Sequence, residues 1–207
     1  MITDITGIII ADHNENLFDS NISLLEIEGQ KLIEKICDIM GAVFEKNYIV
    51  TADPDKYNFV DTEKIQKEYV GLEPLADIYS SIKHSDSEKV FVVSSNLPFL
   101  QKSILEFLPS FQSDGLVILP KVGNKIEYHC GIYDRRILPV FENILIAASE
   151  SISNKKPVKD SALSLWNFIE RMDAYLVDIE YELFYFNDLF FKIESDNDFE
   201  YVKEKII

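Results

Sequence analysis

Three polar residues directly follow an apolar run in the stretch KVFVVSSNLPFL, at residues 89–100. Residues 90–93 form an unbroken apolar run, which is typical of a strand covered on both faces. Ser94, Ser95 and Asn96 come next. In open α/β sheets ligands bind beyond the carboxyl ends of the strands. Hydroxyl and amide oxygens at that position could bind a polar ligand or a hard cation. Ser95 and Asn96 are therefore the first candidate ligand-binding residues.

A second group of residues, Asp12, His13 and Glu15, suggests a metal cluster at the mouth of the sheet. Imidazole and carboxylate groups are common metal ligands. However, a histidine beside two carboxylates on a loop is more often solvated surface, and no second histidine lies nearby in the sequence. We therefore favour the surface interpretation over the metal interpretation.

A third candidate is the pair His129-Cys130, which could form a base and a nucleophile. The surrounding residues alternate in a strand-like way, with Tyr128, Cys130 and Ile132 predicted to point inward. A buried strand is the simpler explanation of this pattern.

Strands and helices alternate along the first half of the chain, which predicts βαβ units and a mostly parallel sheet. The predicted strands occupy residues 5–11, 47–52, 90–93 and 174–180, with a further strand pair around Gly123-Asn124. The predicted helices occupy residues 29–41, 72–85, 101–111, 136–150 and 161–171 and the closing stretch 196–207. Gly41 is expected to follow the first helix. We predict a three-layer α/β/α sandwich, Rossmann-like in its first half, and one domain over residues 1–207, because no linker or internal repeat is visible.

Twenty basic and thirty-six acidic residues give the chain a formal net charge of −16. Such a surface repels phosphate backbones and anionic lipids, so we expect neither nucleic-acid nor membrane binding. No stretch is apolar enough to predict a membrane span. Cys37 and Cys130 lie far apart in apolar or strand-like stretches, which favours reduced thiols and a cytoplasmic protein.

Residues 71–100 carry a family resemblance. They read GLEPLADIYSSIKHSDSEKVFVVSSNLPFL and resemble the molybdenum cofactor guanylyltransferase family. In that family, a Gly-x-Gly-Pro-Leu-Ala-Gly-Ile segment opens a helix and the next strand ends in Cys-Asp-x-Pro-Phe. The similarity continues through residues 116–142, 165–180 and 198–206, and Glu127 falls in a family-like place. It implies a fold of the nucleotide-diphospho-sugar transferase type.

The resemblance also implies an activity. Members of the family transfer GMP from GTP to molybdopterin, with Mg²⁺, and partners would be molybdopterin or a protein of molybdenum cofactor biosynthesis. This chemistry uses a glycine-rich loop around the triphosphate, a lysine that offsets negative charge, and a carboxylate that holds the metal. Ala11, Asp12, His13, Lys67 and Gly71 stand at positions equivalent to the family's nucleotide-binding residues.

Most of these functional groups are replaced in the present chain. In the first loop, Asp12 and His13 stand at two glycine positions, Asp19 at a third, and Ile22 at the position of the lysine. Glu15, Leu17 and Phe18 replace a serine, an arginine and a methionine of that loop. The loop keeps its length but carries carboxylates where phosphates would lie, and like charges there oppose GTP binding.

The metal carboxylate and the second loop are altered as well. Asn96 stands at the position of the family's metal-binding aspartate and offers only a neutral carbonyl oxygen. Glu73 and Asp77 replace glycines, and Lys67 falls where an aspartate is usual. Two further positions in the C-terminal segment are Glu194, near a family asparagine, and Asp198, which keeps the family's acid.

Two hypotheses are open at this point. A retained nucleotidyltransferase would need Asp12 or Glu15 to help carry Mg²⁺, with Lys31 or Lys67 replacing the lost loop lysine. A relative with weak or lost catalysis would instead be a binding or scaffold protein that keeps the fold. The aromatic stretch YELFYFNDLFF at residues 181–191 fits either a core edge or a docking patch.

Overall fold

The structure is a computed structural model that describes residues 1–11, 21–111, 113–154, 165, 169, 172 and 174–206. The described strands are, in chain order, β1 (Ile5–Ile10), β2 (Glu26–Ile27), β3 (Gln30–Lys31), β4 (Asn47–Thr51), β5 (Glu63–Gln66), β6 (Lys89–Ser94), β7 (Val117–Val122), β8 (Lys125–Ile126), β9 (Cys130–Asp134) and β10 (Ala174–Asp178). The described α-helices are α1 (Leu32–Gly41), α2 (Leu75–His84), α3 (Lys102–Phe107), α4 (Leu138–Ser153) and α5 (Asp196–Ile206).

Eight of these strands form one sheet in the order β10-β7-β9-β6-β1-β4-β5, with β8 paired to β7. The pairs β1–β4, β1–β6, β4–β5 and β10–β7 are parallel. Strand β9 runs antiparallel to both β6 and β7. The prediction of a mostly parallel sheet is confirmed. The exception inside the sheet is β9, which lies between β7 and β6 and runs in the opposite direction to both.

The central strands are mostly apolar because both of their faces are covered. All six residues of β1 are buried. Ile5 and Ile9 belong to one core cluster, whereas Ile8 and Ile10 belong to the other. A strand that alternates between two apolar clusters must lie in the middle of three layers.

The helices divide between the two faces of the sheet. The apolar residues of α1, α3 and α5 join the first core cluster, and those of α2 and α4 join the second. Buried helical residues that carry these contacts include Ile36, Leu105 and Val202 on one face and Ile78 and Phe141 on the other. The predicted three-layer α/β/α sandwich is confirmed.

The predicted elements agree with the structure in most places. The strand pair around Gly123-Asn124 is β7 and β8, in which Val122 faces Lys125. Gly41 is the last residue of α1 rather than the residue after it. The predicted helix at 161–171 lies outside the described residues, apart from Leu165 and Ile169. No helix within the described ranges is long and apolar enough to cross a membrane.

Candidate functional site

The carboxyl ends of the parallel strands form one edge of the sheet, which we call the carboxyl edge. There the Ser95 N–H donates to the Ile10 carbonyl at 2.9 Å, which joins the end of β6 to the end of β1. The Ser94 N–H donates to the His129 carbonyl at 2.9 Å, which brings the start of β9 to the same edge. Residues far apart in sequence therefore converge at this edge.

Asn96, predicted as a ligand-binding residue, makes hydrogen bonds inside the protein through both ends of its amide. The Ser94 hydroxyl donates to Asn96 Oδ1 at 2.6 Å, and Asn96 Nδ2 donates to the Ile193 carbonyl at 3.3 Å. The Ile193 N–H donates in turn to the Asn96 carbonyl at 3.1 Å. Asn96 is only 5% exposed. It therefore ties the end of β6 to the segment that precedes α5.

Ile22, which the resemblance aligns with the family's lysine, has its side chain in the hydrophobic core. It begins a 3₁₀ turn that Asn21 caps, and it is buried in the first core cluster. Asn21 is itself held by a hydrogen bond from its Nδ2 to the Tyr57 hydroxyl at 2.7 Å. Ala11, at the other end of the loop, is also buried, and its N–H donates to the Val50 carbonyl at 3.0 Å. Neither residue offers a charge to a phosphate.

Lys67, at the end of β5, forms a buried ion pair. Its Nζ lies 2.8 Å from Asp77 Oδ1 and 3.8 Å from Glu73 Oε1. The Lys67 and Asp77 side chains are 1% and 0% exposed. The carboxylates of Glu73 and Asp77 thus compensate the charge of Lys67. A charge pair buried in this way must stay together, because removing one partner leaves the other uncompensated.

Gly71 and Lys31 complete the predicted positions that the structure describes. Gly71 has a φ of +82°, and its N–H donates to Glu73 Oε1 at 3.3 Å. The Lys31 ammonium lies 3.8 Å from the centre of the Phe59 ring, a cation–π contact. The carboxylate of Glu73 thus takes a backbone donor that would be suited to a phosphate.

A second cluster of polar side chains consists of Glu127, His129 and Lys192. Lys192 Nζ lies 2.8 Å from Glu127 Oε2, and the His129 N–H donates to Glu127 Oε1 at 2.8 Å. The Glu127 side chain is 10% exposed. Sequence reasoning singled out Glu127 and His129 but missed Lys192, because no motif joins a lysine so far along the chain to them.

The pair His129-Cys130 does not have the properties of a base and a nucleophile. Burial, helped by the charge of Lys192, lowers the pKa of His129 to about 3. Burial also raises the pKa of the Cys130 thiol well above its usual value. Cys130 and Ile132 are buried in the first core cluster, as the strand interpretation predicted, whereas Tyr128 is only partly buried and packs against the second cluster, so its predicted place on the same face is wrong. A thiol held in its protonated form is a poor nucleophile.

The described residues do not fit a magnesium site. Among them, no group of three or more His, Cys, Asp or Glu side chains could hold a metal ion. Asn96 brings no charge, and the carboxylate of Glu127 already faces an ammonium. Asp12, His13, Glu15 and Asp19 of the first loop lie outside the described residues. Asp198 serves α5 instead, because its carboxylate accepts hydrogen bonds from the Ser195 hydroxyl and the Glu194 N–H.

A cavity of about 550 Å³ adjoins this edge. Residues 122–127 line one side, and Glu180, Tyr185, Asn187 and Phe190 line the other. The aromatic stretch 181–191 therefore contributes to a cavity wall as well as to the core, against which Tyr185 and Phe190 pack. Tyr181 and Leu183, at its start, are fully exposed to solvent or nearly so.

Comparison with known protein families gives a match over most of the chain. Residues 18–157 match the model of the MobA-like NTP transferase domain. A protein of Aquifex aeolicus named "probable molybdenum cofactor guanylyltransferase" is 28% identical over 138 residues, which cover 66% of this chain and 67% of the relative.

Solved structures show the same fold. Molybdopterin-guanine dinucleotide biosynthesis protein A from Archaeoglobus fulgidus superposes with a TM-score of 0.77 over 98% of both chains, at 16% identity. A protein from Aquifex aeolicus superposes with a TM-score of 0.69 at 25% identity, over 91% of this chain and 92% of the other. The nucleotidyltransferase-type fold that the family resemblance implies is therefore confirmed.

Proposed function

Because the chain belongs to the family of MobA-like NTP transferase domains, we propose that it is a molybdenum cofactor guanylyltransferase-like protein whose guanylyl transfer is weak or lost. The family reaction would move GMP from GTP to molybdopterin. Bound Mg²⁺ would polarise the α-phosphate in that reaction. We further propose that the chain is a single cytoplasmic domain over residues 1–207.

The observation that carries this proposal is that both ends of the Asn96 side-chain amide are hydrogen-bonded within the protein. The residue at the metal aspartate position holds Ser94 and Ile193 within the protein. The lysine position is filled by Ile22, a core residue, and Lys67 is paired with Asp77. Each of these side chains already has a structural role, so none needs a nucleotide to satisfy it. Together they support loss of function better than any single replacement would.

Titration calorimetry with GTP and Mg²⁺ tests the proposal. We expect no binding up to about 1 mM GTP, and no pyrophosphate release when molybdopterin is added. A guanylyltransferase of established activity provides the positive control for both assays. Micromolar GTP binding, or turnover, would contradict the proposal and favour the retained enzyme.

The variant Asn96→Asp refines the same test. It restores the metal carboxylate but leaves Ile22 in place of the lysine and places negative charge against the Ile193 carbonyl. We therefore expect little or no recovery of GTP-dependent turnover. Clear turnover in this single variant would show that residues 12–20 supply the remaining groups.

A second candidate function is a non-catalytic binding or scaffold protein. The 550 Å³ cavity favours it, because aromatic and amide side chains line this cavity and Asn96, Ile22 and Lys67 do not. Its ligand would be molybdopterin, or its partner a protein of the same pathway. Titration calorimetry with a stable pterin distinguishes two cases. A binding protein should bind the pterin, whereas a protein that has lost the binding of both GTP and molybdopterin should not.

A further inference from the structure

Lys192 is fixed over the carboxyl edge from two directions. Its ammonium lies 2.8 Å from Glu127 Oε2, and its side chain is 25% exposed. The next residue, Ile193, exchanges two hydrogen bonds with Asn96, one through the backbone and one through the side-chain amide. The segment that contains Lys192 is therefore anchored to the end of β6, and this holds the Lys192 ammonium at the carboxyl edge.

Glu127 is arranged to receive a cation. Its N–H donates to the Pro120 carbonyl at 3.0 Å, which fixes the backbone against β7. One carboxylate oxygen accepts the His129 N–H, and the other faces Lys192. A nearly buried carboxylate requires a positive partner, because desolvation penalises an isolated charge. In a metal site the positive partner of a carboxylate is the metal ion, whereas the partner of Glu127 is the ammonium of Lys192.

Two other described side chains at this edge carry no charge. Asn96 carries no charge, and the low pKa of His129 leaves its ring neutral. Glu127 and Lys192 therefore balance each other. A divalent cation that shared Glu127 would stand a few ångströms from the ammonium and would be repelled by it. The aspartate-to-asparagine replacement at position 96 is consistent with this balance, since a second carboxylate would have no counter-charge.

We propose that the Lys192 ammonium takes the place of a divalent cation at the carboxyl edge, so that Glu127 is neutralised within the chain and binds no metal ion. This inference rests on the proposed function in one respect, namely that the metal ion of the family would lie at the carboxyl edge. Its test uses protein without nucleotide, so a failure here and a failure of the GTP experiment are distinguishable.

The test is a Mn²⁺ titration followed by electron paramagnetic resonance. The double variant Lys192→Asn with Asn96→Asp removes the ammonium that neutralises Glu127 and adds a carboxylate at the end of β6. We expect it to bind one more Mn²⁺ than the wild-type protein, at least tenfold more tightly than any wild-type interaction with Glu127. Lys121→Asn is the matched control, because it breaks a similar 2.7 Å pair with the exposed Asp178 and should add no site. Equal numbers of sites in the folded double variant and the wild type would overturn the proposal.

A measurement on the wild-type protein keeps the proposal testable if the double variant does not fold. The ¹⁵N resonance of Lys192 Nζ should show slow proton exchange, as expected for an ammonium held by a carboxylate. Mn²⁺ at 1 mM (about the metal concentration at which a weak site fills) should leave that resonance sharp. Broadening of the Lys192 resonance by Mn²⁺ would place the metal beside Glu127 and would overturn the proposal.

Discussion

At Gly7, strand β1 lies so close to β4 and α1 that a side chain has no room. Gly7 pairs with Asn47 between β1 and β4. An added Cβ would lie 2.1 Å from Asn47 Oδ1 and 2.9 Å from the terminal methyl of Met40 in α1. We predict that Gly7→Ala destabilises the protein by about 1–3 kcal/mol, because the neighbours must move to relieve overpacking. Urea unfolding measures the change.

The control for this variant is Gly41→Ala. Nothing lies within 4 Å of a Cβ at Gly41, the last residue of α1. Alanine is also the better helix former, by up to about 1 kcal/mol. The control should be neutral or slightly stabilising. A Gly7→Ala variant as stable as Gly41→Ala would show that β1 and β4 have room to separate.

His129 makes stability depend on pH in a definite direction. Burial and Lys192 lower its pKa to about 3, whereas an unfolded histidine titrates near pH 6.5. The unfolded chain thus binds a proton at higher pH than the folded chain does. The contribution of the neutral ring is complete above about pH 6.5 and is lost as the pH falls towards 3. At pH 5 the loss is on the order of 2 kcal/mol.

We therefore predict that His129→Gln flattens the acid side of the stability profile. Wild type and variant are compared by urea unfolding between pH 4 and pH 7.5. Carboxylates titrate in both proteins, so the difference between the two profiles isolates the histidine. A difference that does not change with pH would mean that His129 is protonated in the folded protein near its ordinary pKa.

Residue types at the carboxyl edge could be predicted from the sequence, but their partners could not. The run before Ser95 and Asn96 placed both residues at the end of a buried strand. Nothing local indicated that Asn96 would bind Ile193, or that Lys192 would face Glu127. Such contacts depend on where the chain returns after more than 60 residues, and only the tertiary structure determines that.

Among the elements, the segment before α5 depends on Asn96 for its position. The amide of Asn96 reaches the Ile193 carbonyl in a buried hydrogen bond. We predict that Asn96→Ala destabilises the protein by about 1–3 kcal/mol, since it leaves a buried carbonyl without its donor. Amide exchange at residues 189–193 should rise about tenfold or more when measured by hydrogen–deuterium exchange.

The matched control is Asn154→Ala. Asn154 Nδ2 donates to the Glu150 carbonyl at 2.7 Å at the exposed end of α4. Water can replace that donor, so exchange at residues 189–193 should stay unchanged. If both variants left this exchange unchanged, the backbone bond from Ile193 to Asn96 would be sufficient to hold the segment.

Elements with strong periodicity were predictable, and short or reversed ones were not. Strands β1 and β6 and helices α1 and α2 follow directly from apolar patterns. The direction of β9 does not, because a buried strand has the same composition in parallel and antiparallel pairs. The hairpin β2–β3 was missed because each strand has two residues. Its turn residues, Glu28 and Gly29, have φ values of 55° and 79°. The glycine is the feature of the sequence that could have indicated this turn.

The whole molecule carries an excess of negative charge that must oppose its own compactness. A net charge of −16 on 207 residues produces self-repulsion that the unfolded chain relieves by expanding. Salt screens that repulsion, but it also screens the attractive pairs. Exposed pairs such as Lys102–Glu106 contribute only about 0–1 kcal/mol each, and the buried Lys67–Asp77 pair is largely protected from screening. The repulsive effect should therefore dominate the response to salt.

We predict that raising NaCl from about 10 to about 150 mM stabilises the protein, because the Debye length falls from about 30 to about 8 Å. A gain of about 1 kcal/mol would raise Tm by about 2–4 °C for a chain of this size, which calorimetry can measure. The triple variant Glu26→Gln, Glu45→Gln and Glu204→Gln removes three exposed charges, from −16 to −13, and should show a smaller gain. A Tm that falls with salt in the wild type would mean that attractive pairs outweigh the net repulsion, and the triple variant should then gain nothing in stability at low salt.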